Sequence, residues 1–366
     1  MKLGIKLLLS LALCASLHAQ GVPGGGLCAA FSSDGSFAKA KLSKTSLSVD
    51  IAPPGGSSVA LEIPLLLSGD ACHSFFSKDG ELLAVSIEDQ LHAYAHVQVA
   101  VADVRTGKWL QSAPYTAHLA DDARGPLLGF LGDSHTLLLL SRGTNFPDER
   151  RSLLYPVFLT LPDGKVRTGL VPTSGPPFTY TSGAVDVTGG HVWFLATNDT
   201  CGFQSLLVDP KADLKPSPPV KGEQLRAAGC AQPELVFAPS PNLLISGFSK
   251  ANQFIVDAVD LNTGKLDSTA LQAKGREGFL HPGDTAVTSD AIFGAIAFKR
   301  FDDTRSGLVH SSTEVAIFKT SPFALAATVE IPEGSELLAI GDAGGSLSVA
   351  IANKGKISVL TPREKP

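Results

Sequence analysis

Three features of the sequence predict an all-β chain built from repeated small sheets. Apolar residues recur with a period of two along most of the chain, so successive side chains point to opposite faces, as they do in a strand. The 36 glycines and 24 prolines fall between those runs, where hairpin turns need them. A strand, a tight turn and a second apolar strand return together about every 52 residues.

The chain starts with Lys2 and Lys6 ahead of an apolar run from Leu7 to Leu17, closed by Leu17-His18-Ala19-Gln20. That order is the pattern of a secretory signal peptide cut after Ala19. The run is about half of the roughly 20 apolar residues a spanning helix needs, and polar sequence follows it. A lipid anchor on Cys14 wants a small residue before the cysteine, where Leu13 stands. The expectation is a signal peptide at 1–19 and one domain at 20–366, exported to the periplasm or beyond, with no membrane span. Loss of Lys2 and Lys6 takes the formal charge from -5 to about -7. No basic stripe remains to recognise nucleic acid.

Four cysteines follow the signal segment, Cys28, Cys72, Cys201 and Cys230, an even number suited to an oxidising compartment. Of three possible pairings, Cys28 with Cys72 and Cys201 with Cys230 is expected, because each closes a short loop between neighbouring repeats. Buried free thiols stay open as the alternative. No CxxC or Cys/His spacing offers a tetrahedral metal site, and no cofactor motif is found.

The clearest strand sets Val97, Val99 and Val101 on one face and Gln98, Ala100 and Ala102 on the other. Continuous apolar runs at Leu82–Val85, Leu137–Leu140, Val192–Ala196, Leu243–Ile245, Phe254–Val256 and Ile292–Phe298 suit strands buried on both faces. Helical patterning is confined to Asp148–Leu154 and Glu223–Ala228, each enough for a turn or two.

The repeating turn is plainest at Phe31-Ser32-Ser33-Asp34-Gly35 and Phe76-Ser77-Lys78-Asp79-Gly80. Looser copies centre on Asp133, Gly190, Asn242, Asp290 and Gly344, which makes seven units. A second turn lies inside some units, at Asp103–Lys108, Leu161–Lys165 and Asp260–Lys265, leaving room for a four-stranded meander. One such meander cannot bury both faces, whereas several stacked radially bury each sheet between its neighbours. The architecture expected is therefore a β-propeller of seven blades, each a four-stranded antiparallel sheet. A pair of β-sandwiches is the competing arrangement, although its turns recur every 8–12 residues without a longer period. The last unit shows three strands, Glu336–Ile340, Leu347–Ala352 and Ile357–Thr361, and no strand is identified that would latch it to the first.

Phe76-Ser-Lys-Asp-Gly-Glu-Leu-Leu-Ala-Val85, with Asp103-Val-Arg-Thr-Gly-Lys-Trp109, resembles the WD40-like propeller repeats of bacterial exported proteins, including the YVTN and TolB-type groups. The Trp-Asp and Gly-His pairs of WD40 repeats themselves are missing. The resemblance implies a rigid binding platform and brings no catalytic residues with it.

Chemistry-bearing constellations are few. His92 and His96 are four positions apart along a strand, roughly 13 Å, too far to share an ion. Asp121-Asp122 and Asp302-Asp303 are adjacent, so each pair splits between the two faces of a strand; both read as solvated loop residues. No nucleophile elbow, phosphate-binding loop or His-Glu-x-x-His is found. Trp193 lies within an apolar run, whereas Trp109 follows a turn and is the better candidate to stack on a ligand. Two function classes follow. The first is a noncatalytic monomer that binds a protein, peptide or glycan of the cell envelope. The second is a propeller enzyme, a hydrolase or lactonase or a quinone-dependent oxidoreductase, with its site in the central channel. For the second, His73, Asp186, Asp284 and Asp342 are the candidates near inner turns, although their spacing from those turns differs.

Overall fold

The computed structural model describes residues 26–88, 96–118, 127–145, 148–168, 179–185, 192–197, 203–208, 235–240, 242–260, 262–342 and 346–362. All regular structure in them is β, in seven antiparallel sheets that follow one another along the chain.

The first sheet pairs β1 (Leu27–Phe31), β2 (Phe37–Leu42), β3 (Ser46–Ala52) and β4 (Val59–Pro64) in order. The second holds β5 (Ala71–Phe76), β6 (Leu82–Glu88), β7 (His96–Asp103), β8 (Lys108–Trp109) and β9 (Tyr115–His118). β8 and β9 pair with opposite ends of β7 along one edge, so together they make an interrupted fourth strand. The third contains β10 (Leu127–Phe130), β11 (Thr136–Asn145), β12 (Asp148–Thr160) and β13 (Lys165–Thr168). The fourth is β14 (Thr179–Val185), β15 (Val192–Thr197) and β16 (Phe203–Val208). The fifth runs β17 (Leu235–Ser240), β18 (Leu243–Lys250), β19 (Gln253–Asp260) and β20 (Leu266–Gln272). The sixth is β21 (Phe279–Val287), β22 (Phe293–Thr304), β23 (Gly307–Thr320) and β24 (Phe323–Ile331), and the seventh β25 (Glu336–Asp342), β26 (Leu347–Asn353) and β27 (Lys356–Leu360).

The first strands of successive sheets touch in the order β1, β5, β10, β14, β17, β21, β25, and β25 returns to β1. This closed circuit of seven sheets is the propeller expected from the repeat period. Apolar residues fill the clefts: Val97, Val99 and Val101 face the third sheet, while Ala100 and Ala102 on the same strand face the first. Both faces of β7 are thus buried, which is why its alternation is of side-chain size more than of polarity.

No exchanged strand joins the seventh sheet to the first among the described residues. The ring closes there by face packing, with Ala29 and Phe31 of β1 against Ala339 and Ala350. Gly341 permits the approach, since a Cβ on it would lie 2.1 Å from Phe31 Cβ.

The repeat has a chemical basis in its first turn. Ser77 Oγ donates to Asp79 Oδ1 at 2.6 Å and accepts the Leu82 amide at 2.9 Å. Thr288, Asp290 and Phe293 repeat the same bonds at 2.6 and 3.0 Å, and Ser32, Asp34 and Ser36 form a shorter version. A hydroxyl and a carboxylate two residues apart therefore satisfy the amides of the hairpin bend. Burial would raise the Asp34, Asp79 and Asp133 carboxyls, but their hydrogen bonds outweigh it and hold them below the usual range. Five turn markers, Gly35, Gly80, Asp133, Asn242 and Asp290, lie between the first and second strands of their sheets; Gly190 and Gly344 lie outside the described residues.

Two expectations change. Asp148–Leu154 is the start of β12 and extends its antiparallel pairing with β11, from Arg142↔Leu154 to Asn145↔Asp148; Glu223–Ala228 lies outside the described residues. Asp302 and Asp303 belong to β22, and Asp302 is buried instead of solvated.

Candidate functional site

Because each first strand runs in the same sense around the ring, hairpins between second and third strands share one face with the loops that join successive sheets. This is termed the upper face; the Ser/Thr–Asp turns lie on the lower face.

Cys28 and Cys72 are joined in a disulfide, Cα to Cα 5.8 Å, and tie β1 to β5. Alternation along β5 then turns His73 the other way, into the cleft between the second and third sheets. Gly69 fits the preceding segment under β6, where a Cβ would lie 2.3 Å from Ile87 Cγ2. The Asp70 amide donates to the Glu88 carbonyl at 2.9 Å. His73 stands directly opposite Ser86, and Glu88 lies two residues further on the same face of β6.

His73 Nε2 is 3.9 Å from Glu88 Oε1. The Glu88 side chain is 9% exposed, and neither its Oε1 nor the buried Ser86 Oγ has a hydrogen-bond partner. Burial first, then the charge of Asp70, pushes the Glu88 carboxyl up to about 8. Burial lowers the His73 imidazole. The two shifts favour neutral forms, so the pair is not an ion pair at neutral pH despite its distance. The His73 side chain is 39% exposed to solvent.

Asp284 occupies the corresponding place in the sixth sheet. Both residues stand four positions before the first residue of their turns, Ser77 and Thr288, whereas Asp342 ends its strand, so two of the candidates share a place in the blade and the set as a whole does not. A bulge between Pro282 and Thr285 sets Gly283 and Asp284 against the single residue Ala297. Asp284 Oδ2 accepts the Leu337 amide of the seventh sheet at 3.3 Å. Burial raises its carboxyl, while that amide and the Lys299 charge pull the other way. Burial also raises Glu336, with the Asp284 charge adding to it.

Asp342 ends β25 opposite Leu347 and is exposed at the lower-face turn. His73 and Asp284 sit on the second and sixth sheets: His73 meets Ser86 and Glu88 of its own sheet, and Asp284 meets the Leu337 amide of the seventh. Asp186, Cys201 and Cys230 lie outside the described residues. Trp109 packs half-buried between the first two sheets, its indole N–H donating to the Glu62 carbonyl at 3.0 Å. Among the described residues no three His, Cys, Asp or Glu side chains form a metal-ligand set, and no helix is long and apolar enough to cross a membrane.

Glu88, Glu336 and Gln98 were missed in the sequence. Glu88 and Gln98 extend strand faces otherwise made of small or apolar residues, and that discontinuity is the signal they offer. Gln98 is 1% exposed and holds the loop after β4: its Oε1 accepts the Leu66 and Leu67 amides at 2.8 and 3.1 Å, and its Nε2 donates to the Leu67 carbonyl at 2.7 Å. Leu66 and Leu67 are thereby presented 57% and 46% exposed on the upper face.

The β22–β23 hairpin rises on that same face. Arg300 forms a two-pronged bond to Glu314, Nε and Nη2 each 2.8 Å from a carboxylate oxygen. Asp302 accepts the Lys274 amide at 3.0 Å, and Asp303 accepts those of Arg276 and Glu277 at 3.2 and 3.3 Å. The adjacent carboxylates thus anchor the loop from the fifth sheet. Leu308 and Val309 stand near the hairpin tip, 48% and 47% exposed.

No protein-family profile matches the sequence, and no curated protein is similar to it by sequence. Among solved structures, hydrazine synthase of Kuenenia stuttgartiensis is similar at 13% identity and a TM-score of 0.54, covering 95% of this chain and 98% of that one. A puromycin-hydrolyzing peptidase of Mycobacterium tuberculosis is similar at 14% identity, TM-score 0.49, covering 92% of this chain and 53% of that one. TolB of Acinetobacter baumannii is similar at 12% identity, TM-score 0.38, covering 69% and 56%. This chain spans little more than half the length of the last two. At these identities the first likeness concerns the fold alone: the whole ring of sheets is shared with a chain of nearly the same extent.

Proposed function

We propose that the chain is exported, with residues 1–19 as its signal peptide and 20–366 as one propeller domain, and that it acts as a noncatalytic platform for a protein, peptide or glycan of the cell envelope. The observation that carries this reading is the construction of the upper face. Four of the eight large apolar side chains exposed among the described residues, Leu66, Leu67, Leu308 and Val309, stand there on braced supports. Three hydrogen bonds from Gln98 hold the first pair's loop, and the Arg300–Glu314 fork with Asp302 and Asp303 holds the second pair's hairpin. Apolar contacts fixed before binding lose less conformational entropy on association.

The test is capture from envelope extract with wild-type protein, with Leu66→Asp/Leu67→Asp, and with Ile292→Asp on the lower face. One reproducible partner retained by the wild type and the Ile292 variant, and lost with the leucine pair, supports the platform. Equal retention by all three refutes the assignment of the face. The enzymatic reading rests on a different observation, the raised Glu88 carboxyl beside His73 at the channel, which together would suit a proton donor and acceptor. Turnover of a lactone by the wild type and not by Glu88→Gln would favour it.

A further inference from the structure

We propose that the niche formed by His73, Ser86 and Glu88 is a binding subsite for a ligand's guanidinium or ammonium group entering from the channel. The inference deepens the platform reading and rests on it, because the cation would belong to the bound partner.

The geometry is that of a site short of one component. On one face of β5 and β6, His73 lies opposite Ser86 with Glu88 two residues beyond, and the imidazole and carboxyl are 3.9 Å apart. Two oxygens in this small space, Ser86 Oγ and Glu88 Oε1, are buried without a hydrogen bond. Unpaired buried polar atoms are rare in folded proteins, and each costs the solvation it lost. The walls are Val97 and Val99, which pair with Glu88 and Ser86 and are themselves buried, so the strand next to β6 offers no polar partner. β10 of the third sheet lies beside β5, with Gly129 facing Phe75.

The sixth sheet differs at this point, with an exposed lysine where the second has the buried acid. Lys299 of β22 occupies the position of Glu88 in β6, six residues beyond the turn residue (Phe293 and Leu82 respectively), and its charge acts on Asp284. In the second sheet the groups acting on Glu88 are burial and the negative charge of Asp70. Among the described residues facing Glu88, β5 gives His73, β6 gives Ser86, the segment before β5 gives Asp70 and β7 gives only valines; no lysine or arginine is among them. Burial lowers the His73 imidazole, which disfavours its charged form. A planar guanidinium has donors for both unpaired oxygens and for a carboxylate fork, and it remains charged at every accessible pH.

Ionisation links this binding to pH. Below about 8 the carboxyl holds a proton, and uptake of a cation must expel it. One-proton linkage makes the affinity rise about tenfold per pH unit up to that point and level off above it.

The test is calorimetric titration of the full mature chain with N-acetyl-arginine methylamide, with the neutral citrulline analogue as control, at pH 6.5, 7.5 and 9. The expected result is binding of the arginine compound alone, tightening roughly tenfold between pH 6.5 and 7.5, with release of about one proton at pH 7 read from two buffers of different ionisation enthalpy. Glu88→Gln should weaken it at least tenfold and remove the pH dependence. Ser86→Ala, which leaves the carboxyl in place, should weaken it less. Equal binding of the citrulline compound, binding unchanged in Glu88→Gln, or no heat in the wild type overturns the subsite. If Glu88→Gln loses the arginine compound but retains the envelope partner, the platform stands with its contacts elsewhere. If the wild type captures no partner while the subsite behaves as described, the platform reading alone fails.

Discussion

Replacing Glu88 by Gln should make the protein more stable, and the gain should depend on pH. The carboxyl titrates near its ordinary value of 4.5 in the unfolded chain and at about 8 in the folded one. Between those values the folded state holds a proton that the unfolded state has released, so unfolding is favoured increasingly as pH rises. At about 1.4 kcal/mol per unit, the carboxyl costs roughly 3 kcal/mol at pH 7 and roughly 5 kcal/mol above pH 8. Below about pH 4.5 both states are protonated and the penalty vanishes. Glutamine keeps the shape and the buried polarity but cannot ionise. Urea unfolding at pH 5 and pH 8.5 should therefore show a wild type that loses several kcal/mol more than the variant across that interval, since other titrating groups are common to both. Parallel pH dependences would refute the reasoning, and would mean that Glu88 is solvated or paired in the folded protein.

Serine at both Cys28 and Cys72, or reduction, should lower stability by about 2–4 kcal/mol, the entropy of closing a loop with a sequence separation of 44, read from the urea midpoint. Gly341→Ala forces a methyl into Phe31 at the ring closure and should cost about 1–3 kcal/mol; faster amide exchange in β1 and β25 than in β21 would locate the damage. Asp284→Asn should bring the Glu336 titration midpoint down, because part of the elevation of that carboxyl comes from the Asp284 charge. Carboxyl NMR shifts followed through pH would show it, and an unmoved midpoint would mean that burial alone raises Glu336. Asp302→Ala leaves the Lys274 amide without its acceptor and should loosen the 273–278 loop, with a loss of about 1–2 kcal/mol and earlier proteolytic cleavage there.

The repeat was legible because its turn is chemical. Ser77 with Asp79, and Thr288 with Asp290, satisfy the same amides, and this fixes both the residue types and the spacing that a reader of the sequence can see. The Cys28–Cys72 bridge was legible for a related reason: the same step of one repeat that separates the turns brings the first strands side by side. Ring closure was not, because among the described residues it uses no exchanged strand and instead packs Gly341 against Phe31, a contact between residues more than three hundred positions apart. Of the site, His73 and Asp284 could be named from their places near turns. Their equivalence was obscured because the markers chosen, Gly80 and Asp290, sit at different points of the bend. Their companions stayed hidden, since pairing within a sheet sets Glu88 on the face of His73, and packing between sheets brings the Leu337 amide to Asp284. A carboxylate that looks like the polar end of a strand becomes a buried acid only when the next sheet covers it.

That covering bears on whether Glu88 is there for the fold. In the first sheet the equivalent place, six residues beyond the residue paired across the turn, is Leu42, 1% exposed and part of the core between the first two sheets. An aliphatic side chain therefore fits this position of a blade and stabilises it by leaving water, about 1.5–3 kcal/mol for a fully buried leucine. Glu88 offers no such gain and carries the penalty described above. Its neighbours Val97 and Val99 would accept an apolar replacement, and Ser86 beside it is likewise unpaired. The difference between a blade with leucine at this point and one with an unpartnered acid is a cost in stability that the architecture does not require. A cost of that kind, within reach of an imidazole, is more readily understood as a position kept for a ligand than as part of the packing.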